Sequence, residues 1–122
     1  MITENYVSFE TAKLLKKLGF DEECAGAYYE TNHTITKFER SVKNSGIGSL
    51  MYSTPTLQMA NKWLRENHHL WIDIDLLTGY KWTWSVWFMN DPNKKLKESL
   101  QTISKYEEAE DAAIKYCLEN LI

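Results

Sequence analysis

The sequence predicts a single α+β domain, in which a small antiparallel sheet with a central hairpin packs on two to three helices in the order α-β(β)-α-β-β-α. The segment 70–89 alternates apolar and polar residues, as strands do, and holds four of the five tryptophans. Helix start signals precede three other segments with apolar residues at helical spacing. The chain has 122 residues, 43% hydrophobic and 25% charged, which fits one domain over residues 1–122.

The first helix has signals at both ends. Ser8 can cap it, and we expect it to run to about Leu18. Gly19 can then take the left-handed conformation that ends many helices, with Phe20 packing back on Leu15.

The signal weakens after this helix. Residues 25–29 and 34–38 are short candidate strands that would extend the sheet. The region 37–53 contains several glycine, serine and asparagine residues, and we interpret it as a mobile loop.

Two further helices are predicted from their start signals. Thr54 can cap a helix with Pro55 in its first position, and this helix ends near Asn67. Ser104 and Glu107 have the spacing of a capping box at the start of the last helix. The predicted apolar face of that helix comprises Ala109, Ala112, Ala113, Tyr116, Cys117 and Leu121.

The hairpin register follows from the alternation and from Gly79. A three-residue loop, 77–79, with Gly79 in a left-handed conformation places all aliphatic residues on one face. The predicted pairs on that face are Leu76 with Tyr80, Ile74 with Trp82, Ile72 with Trp84, and Leu70 with Val86. On the other face Asp75 lies opposite Lys81, Asp73 opposite Thr83, and Trp71 opposite Ser85 with Trp87 close by. After the hairpin we expect a polar turn at 90–93 and a basic linker with Lys94, Lys95 and Lys97.

Charge and cysteine content disfavour several classes of protein. The net charge of -3 lacks the strong basic excess expected of proteins drawn to nucleic acid or anionic lipid. Cys24 and Cys117 are far apart and form no C-x-x-C motif, which indicates free thiols in a reducing compartment. The sequence shows no signal peptide and no apolar run of membrane-spanning length. We expect a cytoplasmic protein without a membrane partner.

Three segments carry a resemblance to a known family. YVSFETAKLLKKLGF, STPTLQMANKWLREN and YEEAEDAAIKYCLENLI resemble a family of small proteins found in gut Bacteroidetes and in their bacteriophages and prophages. The resemblance rests mostly on the three helices. It implies a phage or mobile-element origin, and it implies no activity and no catalytic residue.

A metal site is the first chemical hypothesis. Asp73 and Asp75 project from one strand face and could hold a divalent metal, with Lys81 completing a hydrolase site. Nearby candidate ligands are Glu66, His68 and His69. A solvated strand face with an Asp75 to Lys81 cross-strand pair explains the same pattern, so we expect neither metal nor cofactor. Cys117 lies on an apolar helix face, where a buried side chain is expected rather than a nucleophile. Metal-dependent hydrolysis is therefore the lesser alternative to a non-enzymatic protein.

Trp71 and Trp87 are the strongest candidate binding residues, together with Asp73, Asp75 and Lys81. Two large aromatic residues on a polar strand face can anchor a protein partner or mediate a homodimer. The alternative function is single-stranded nucleic-acid binding, with bases stacked on the indoles and phosphates on the lysines. The candidate lysines are Lys81, Lys94, Lys95 and Lys97. Since large exposed apolar patches are uncommon, we expect residues 37–53 or a second copy of the chain to cover the two indoles.

Overall fold

The chain folds into three helices and two three-stranded antiparallel sheets in the computed structural model, which describes residues 4–122. The first sheet has the strand order β2-β1-β3, and the second has the order β4-β5-β6. The predicted α+β class is confirmed, but the candidate strands at 25–29 and 34–38 form a separate sheet and do not extend the sheet of the hairpin. The elements are α1 (Phe9–Lys17), β1 (Cys24–Tyr29), β2 (Ile35–Val42), a 3-10 turn (Asn44–Gly46), β3 (Met51–Ser53), α2 (Leu57–His68), β4 (Leu70–Leu77), β5 (Lys81–Phe88), β6 (Asp91–Glu98) and α3 (Tyr106–Asn120).

Both ends of α1 are as predicted. The Ser8 side chain accepts a hydrogen bond from the Thr11 backbone N–H at 3.3 Å, which satisfies a donor of the first turn. At the other end Gly19 has φ +95°, and the Phe20 N–H donates to the Leu15 carbonyl at 2.9 Å. This is the Schellman ending, in which a left-handed residue closes the last turn.

The second helix begins later than predicted. Thr56, not Thr54, is its cap and accepts a hydrogen bond from the Met59 N–H at 3.1 Å. Thr54 instead donates its N–H to the Gly26 carbonyl at 3.0 Å, so the chain stays extended past the proline before it turns. The helix continues to His68, and His69 follows with φ +56°.

The last helix also begins later than predicted, and Ser104 does not cap it. Its N-cap is Lys105, which makes no side-chain capping bond. Ile103 is bound to Trp82 through two backbone hydrogen bonds, of 2.7 and 2.8 Å, and this extended pairing delays the turn into α3. The buried face of α3 includes Ile114 and Leu118, which the predicted face omitted.

The region 37–53 is not a loop throughout. It contains most of β2, a 3-10 turn and β3. Buried Asn44 holds it in place, because its amide donates to the Phe20 carbonyl at 2.8 Å and accepts from the Ser53 N–H at 2.9 Å. Lys16 on α1 adds hydrogen bonds to the Gly48 and Met51 carbonyls.

The hairpin forms as predicted, but its register differs by two residues. Leu77 lies opposite Lys81, so the loop is 78–80, and both Gly79 and Tyr80 have positive φ. The inward and outward faces are nevertheless those predicted, since a shift of two residues keeps every side chain on its side. The observed pairs include Leu70 with Phe88, Trp71 with Trp87, Ile72 with Val86, Asp73 with Ser85, Ile74 with Trp84, Asp75 with Thr83, and Leu76 with Trp82.

Of the predicted polar turn at 90–93 only Asn90 lies in a turn, and its other residues form a strand together with the predicted basic linker. Residues 91–98 pair with β5 as an edge strand, with two irregularities in the register. Lysines and a proline are common on edge strands because they discourage further pairing. The same features had indicated a linker.

The core lies between α3 and the inward face of the second sheet and extends to α1 and α2. Trp84 packs there against Tyr116, with a ring separation of 5.5 Å. The fully buried side chains include Val7, Leu15, Phe20, Leu64, Leu70, Val86, Ile114 and Cys117. This packing leaves the opposite face of the second sheet without a helix layer.

Candidate interaction surface

Trp71 and Trp87 lie directly opposite each other on β4 and β5, on the side of the sheet that faces away from the core. Trp71 is 44% exposed, and Trp87 is half-buried. We call this side the tryptophan face. It is formed by Trp71, Asp73, Asp75, Lys81, Thr83, Ser85, Trp87 and Lys95.

The indole N–H groups of both tryptophans are bound within their own strands. Trp71 Nε1 donates to Asp73 Oδ1 at 2.9 Å, and Trp87 Nε1 donates to Ser85 Oγ at 3.2 Å. Each partner is two residues along the strand and therefore on the same face. These bonds orient the rings and leave their apolar surfaces available for contact.

A cation lies near each ring. The Arg65 guanidinium, from the last turn of α2, is 5.7 Å from the Trp71 ring centre. Lys95 Nζ is 5.5 Å from the Trp87 ring centre and donates to Glu98 at 2.8 Å. The hydrogen bond with Glu98 raises the pKa of Lys95 and lowers the pKa of Glu98. The two indoles are thus flanked by fixed charges of both signs.

A cleft of about 380 Å³ opens beside the two indoles. Met89, at its edge, is 47% exposed. The cleft has one charged residue in its lining, and its other walls are aromatic or apolar. The lining consists of Trp71, Asp73, Trp87, Phe88, Met89 and Pro92.

The two predicted aspartates share the tryptophan face, but the predicted pair of Asp75 with Lys81 does not form. Asp75 lies opposite Thr83, and Lys81 lies opposite Leu77, because of the shifted register. Among residues 4–122, no basic group lies within 4.0 Å of either Asp73 or Asp75. Neither carboxylate therefore forms a close ion pair in the part of the chain described, although the charges of both contribute to the raised pKa of Lys95 on the same face.

Within residues 4–122 the structure brings no third metal ligand to these aspartates. No group of three or more His, Cys, Asp or Glu residues in the described part of the chain could hold a metal ion. Glu66 is 4.0 Å from Lys62, and His68 packs edge-on against Trp63 at 4.8 Å. These two candidate ligands are engaged on α2.

Two of the four candidate lysines, Lys81 and Lys95, belong to the tryptophan face, and Lys97 does not. Lys95 lies on the tryptophan face, whereas Lys97 lies opposite the buried Val86, with Nζ 5.8 Å from the Tyr116 ring on the core side. The bulge between these two lysines sends them to opposite sides of the sheet. Lys97 is therefore separated from the lysines of the tryptophan face.

Residues 37–53 do not cover the two indoles, so the first of the two predicted covers is wrong, and cover by a second copy of the chain stays a prediction. The strands of that segment belong to the first sheet, and Trp71 is 44% exposed. Sequence reasoning missed Arg65, Met89 and Pro92 as members of this region. The sequence offered one signal for Arg65, which is its position as a basic residue in the last turn of a helix that leads directly into a strand.

The cysteines do not form a second chemical site. Cys24 and Cys117 are both free and buried, as expected for Cys117. Burial raises the pKa of Cys24 to about 11 and that of Cys117 to about 12. Since the thiolate is the reactive form, neither side chain is suited to nucleophilic chemistry near neutral pH.

Comparisons with known proteins give no information about this surface, so its interpretation rests on its geometry. No protein family, curated protein or solved structure matches the chain. Within residues 4–122, no helix is long and apolar enough to cross a membrane.

Proposed function

We propose that this is a non-enzymatic interaction protein that binds a protein partner through its tryptophan face. A cytoplasmic location and the phage or mobile-element origin implied by the resemblance belong to the same proposal. The observation that carries it is the opposed pair Trp71 and Trp87 beside an open apolar cleft. Tryptophan and arginine are the residues that most often dominate binding energy in protein interfaces.

The surface has the organisation of a protein interface. Its cleft is lined mainly by aromatic and apolar side chains, and the indoles are held by Asp73 and Ser85 before any partner arrives. Prior orientation reduces the entropy lost on binding. Charges of both signs surround the centre, with Arg65, Lys95 and Glu98 among them, as in the polar rim of many interfaces.

The charges favour a protein partner over single-stranded nucleic acid. Asp73 and Asp75 share the face with the indoles and would repel phosphates. Of the candidate lysines, Lys81 shares this face. Lys95, however, is already bound to Glu98, and Lys97 lies on the other side of the sheet. Phosphate contacts normally supply most of the affinity for nucleic acid.

Affinity capture tests the proposal. The wild-type chain, a Trp71→Ser/Trp87→Ser variant and a Tyr80→Ser control would be immobilised and exposed to a lysate of the cells that produce the protein. Tyr80 is 86% exposed at the hairpin tip, so the control removes an exposed aromatic residue outside the cleft. We expect the wild type and the control to recover the same protein, and the double variant to lose it.

Recovery of the same proteins by all three chains would contradict the proposal. Sedimentation of the purified chain over a range of concentrations separates the partner classes. If the purified chain is a monomer at all concentrations, the partner is a protein other than a second copy of this chain. Dimerisation that Trp71→Ser/Trp87→Ser abolishes would identify a second copy instead. Recovery of nucleic acid by the wild type, lost in the double variant, would favour the alternative function.

A further inference from the structure

We infer that the partner binds as an extended segment that adds to the free edge of β4 and places alternating basic and apolar side chains on the sheet. This inference rests on the proposed function, since the added strand would lie beside Trp71 on the tryptophan face. It specifies the partner's conformation and side-chain chemistry. The mode is addition of a strand to a sheet edge, in which backbone hydrogen bonds supply affinity and side chains supply specificity.

The outer edge of β4 has unused backbone groups. β4 is the terminal strand of the order β4-β5-β6. Its backbone makes no hydrogen bond to any described residue outside the hairpin. A terminal strand therefore presents a row of N–H and C=O groups that another strand can pair with.

The other sheet edges carry a proline, several lysines, breaks in register or a very short strand, whereas β4 is protected only by the charges of Asp73 and Asp75. β6 has Pro92, several lysines and an irregular register. The register of β2 is broken between its pairs with Cys24 and Gly26, and β3 has three residues. β4 pairs with β5 without a break over all eight residues, LWIDIDLL, which include no proline, glycine or lysine. By the usual protective devices, β4 is the least protected edge.

The side chains of β4 define what an added strand must carry. Asp73 and Asp75 lie on one face without a basic partner within 4.0 Å in the part of the chain described. Basic residues two positions apart on the added strand would lie opposite them, and opposite charges stabilise such cross-strand pairs. The residue between would project to the other face beside Ile74, near Leu76, which is 58% exposed. An alternating basic and apolar segment fits both faces.

The same aspartates disfavour a second copy of β4 as the added strand. Symmetric antiparallel pairing centred on residue 73 or 75 places an aspartate opposite its own copy. Pairing centred on residue 74 places Asp73 opposite Asp75 twice. Like charges directly opposite each other destabilise a strand pair.

Peptide binding followed by amide hydrogen exchange tests the inference. The probe is an acetylated and amidated peptide of alternating lysine and valine, and its control is the same peptide N-methylated at alternate residues along one edge. We expect the unmodified peptide to slow exchange of the outward amides of β4, and N-methylation to abolish this protection. An Asp73→Lys/Asp75→Lys variant should bind the peptide about fourfold more weakly or worse, since two attractive pairs become repulsive.

The matched control is Glu22→Lys/Glu23→Lys, which changes charge equally in an exposed segment outside the second sheet. It should bind like the wild type, whereas the β4 variant should instead accept a peptide of alternating glutamate and valine. Equal binding of the N-methylated peptide, unchanged β4 amides, or no binding at millimolar peptide would overturn the inference. The proposed function is tested separately, by the loss of partner capture in the Trp71→Ser/Trp87→Ser variant. The peptide results do not change that outcome, so the two claims can fail independently.

Discussion

Asp111 on α3 accepts two hydrogen bonds from Ser8 at the start of α1, one from its backbone N–H and one from its hydroxyl, each 2.9 Å long. Thr11 Oγ1 donates a third at 3.2 Å. The residue that caps α1 is therefore itself held by a carboxylate 103 positions away. Asp111 thereby joins the two helices.

Replacement of Asp111 should weaken this junction. Asp111→Ala is expected to lower the free energy of unfolding by about 1–3 kcal/mol, because partly buried donors lose a charged acceptor. Urea denaturation monitored by tryptophan fluorescence measures the change. Glu108→Ala, on the exposed side of the same turn, is the control and should stay within about 0.5 kcal/mol of wild type. Equal values for the two variants would refute the assigned role.

Asn44 should be equally sensitive. Asn44→Ala removes hydrogen bonds to the Phe20 carbonyl and the Ser53 N–H and leaves both groups buried. The expected loss is about 2–4 kcal/mol of unfolding free energy. Ser49→Ala in the same region is exposed and should have little effect. A mobile segment at 37–53 would instead tolerate both changes alike, and the same denaturation experiment distinguishes the two cases.

Glu110 gives the stability a specific pH dependence. It is 8% exposed, and burial together with the Glu107 carboxylate raises its pKa, although Tyr106, Asn61 and Arg65 lower it in part. Between the ordinary carboxyl pKa of 4.5 and this raised value, the folded state binds more protons than the unfolded state. The free energy of unfolding therefore falls as pH rises through that interval.

Glu110→Gln lacks this titration and isolates its effect. Relative to the variant, the wild type should lose stability as pH rises from 4.5, and the difference should level off above the raised pKa. Denaturation curves of the two proteins at a series of pH values provide the measurement. A difference that stays constant with pH would show that the Glu110 pKa is not raised by folding.

The tryptophans should separate into structural and surface classes. Trp84→Ala is expected to cost about 3–5 kcal/mol of unfolding free energy because it empties part of the core. Trp71→Ser, at an exposed position, should cost much less, about 1 kcal/mol or below. Thermal or urea unfolding compares them directly. Similar losses for both would mean that Trp71 is needed for folding rather than for binding.

Features with a local cause were predictable from sequence, whereas features decided by distant contacts were not. Ser8 and Gly19 act on neighbouring residues, and both ends of α1 were correct. The start of α2 depends on the hydrogen bond from Thr54 to Gly26, and the start of α3 on the pairing of Ile103 with Trp82. Neither partner is visible in the local pattern. β6 was missed because lysines and a proline suit an exposed edge strand as well as a linker.

The candidate surface was predictable in part for the same reason. The alternation of apolar and polar residues places Trp71 and Trp87 away from the core. A register shift of two residues does not change this, so their predicted side of the sheet was correct. Their direct opposition depends on the backbone of Gly79 and Tyr80, which alternation does not determine. Arg65 reaches Trp71 from a different element, and a pattern within the hairpin cannot indicate it.

The affinity of the captured partner for the purified chain tests the central claim most directly. Isothermal titration would compare wild type, Trp71→Ser, Trp87→Ser and the control Tyr80→Ser, each first shown to be folded. The account predicts that at least one tryptophan variant weakens binding about 30-fold or more, as central interface tryptophans do, while Tyr80→Ser binds like the wild type. Unchanged affinity in both tryptophan variants would contradict a binding role for the tryptophan face.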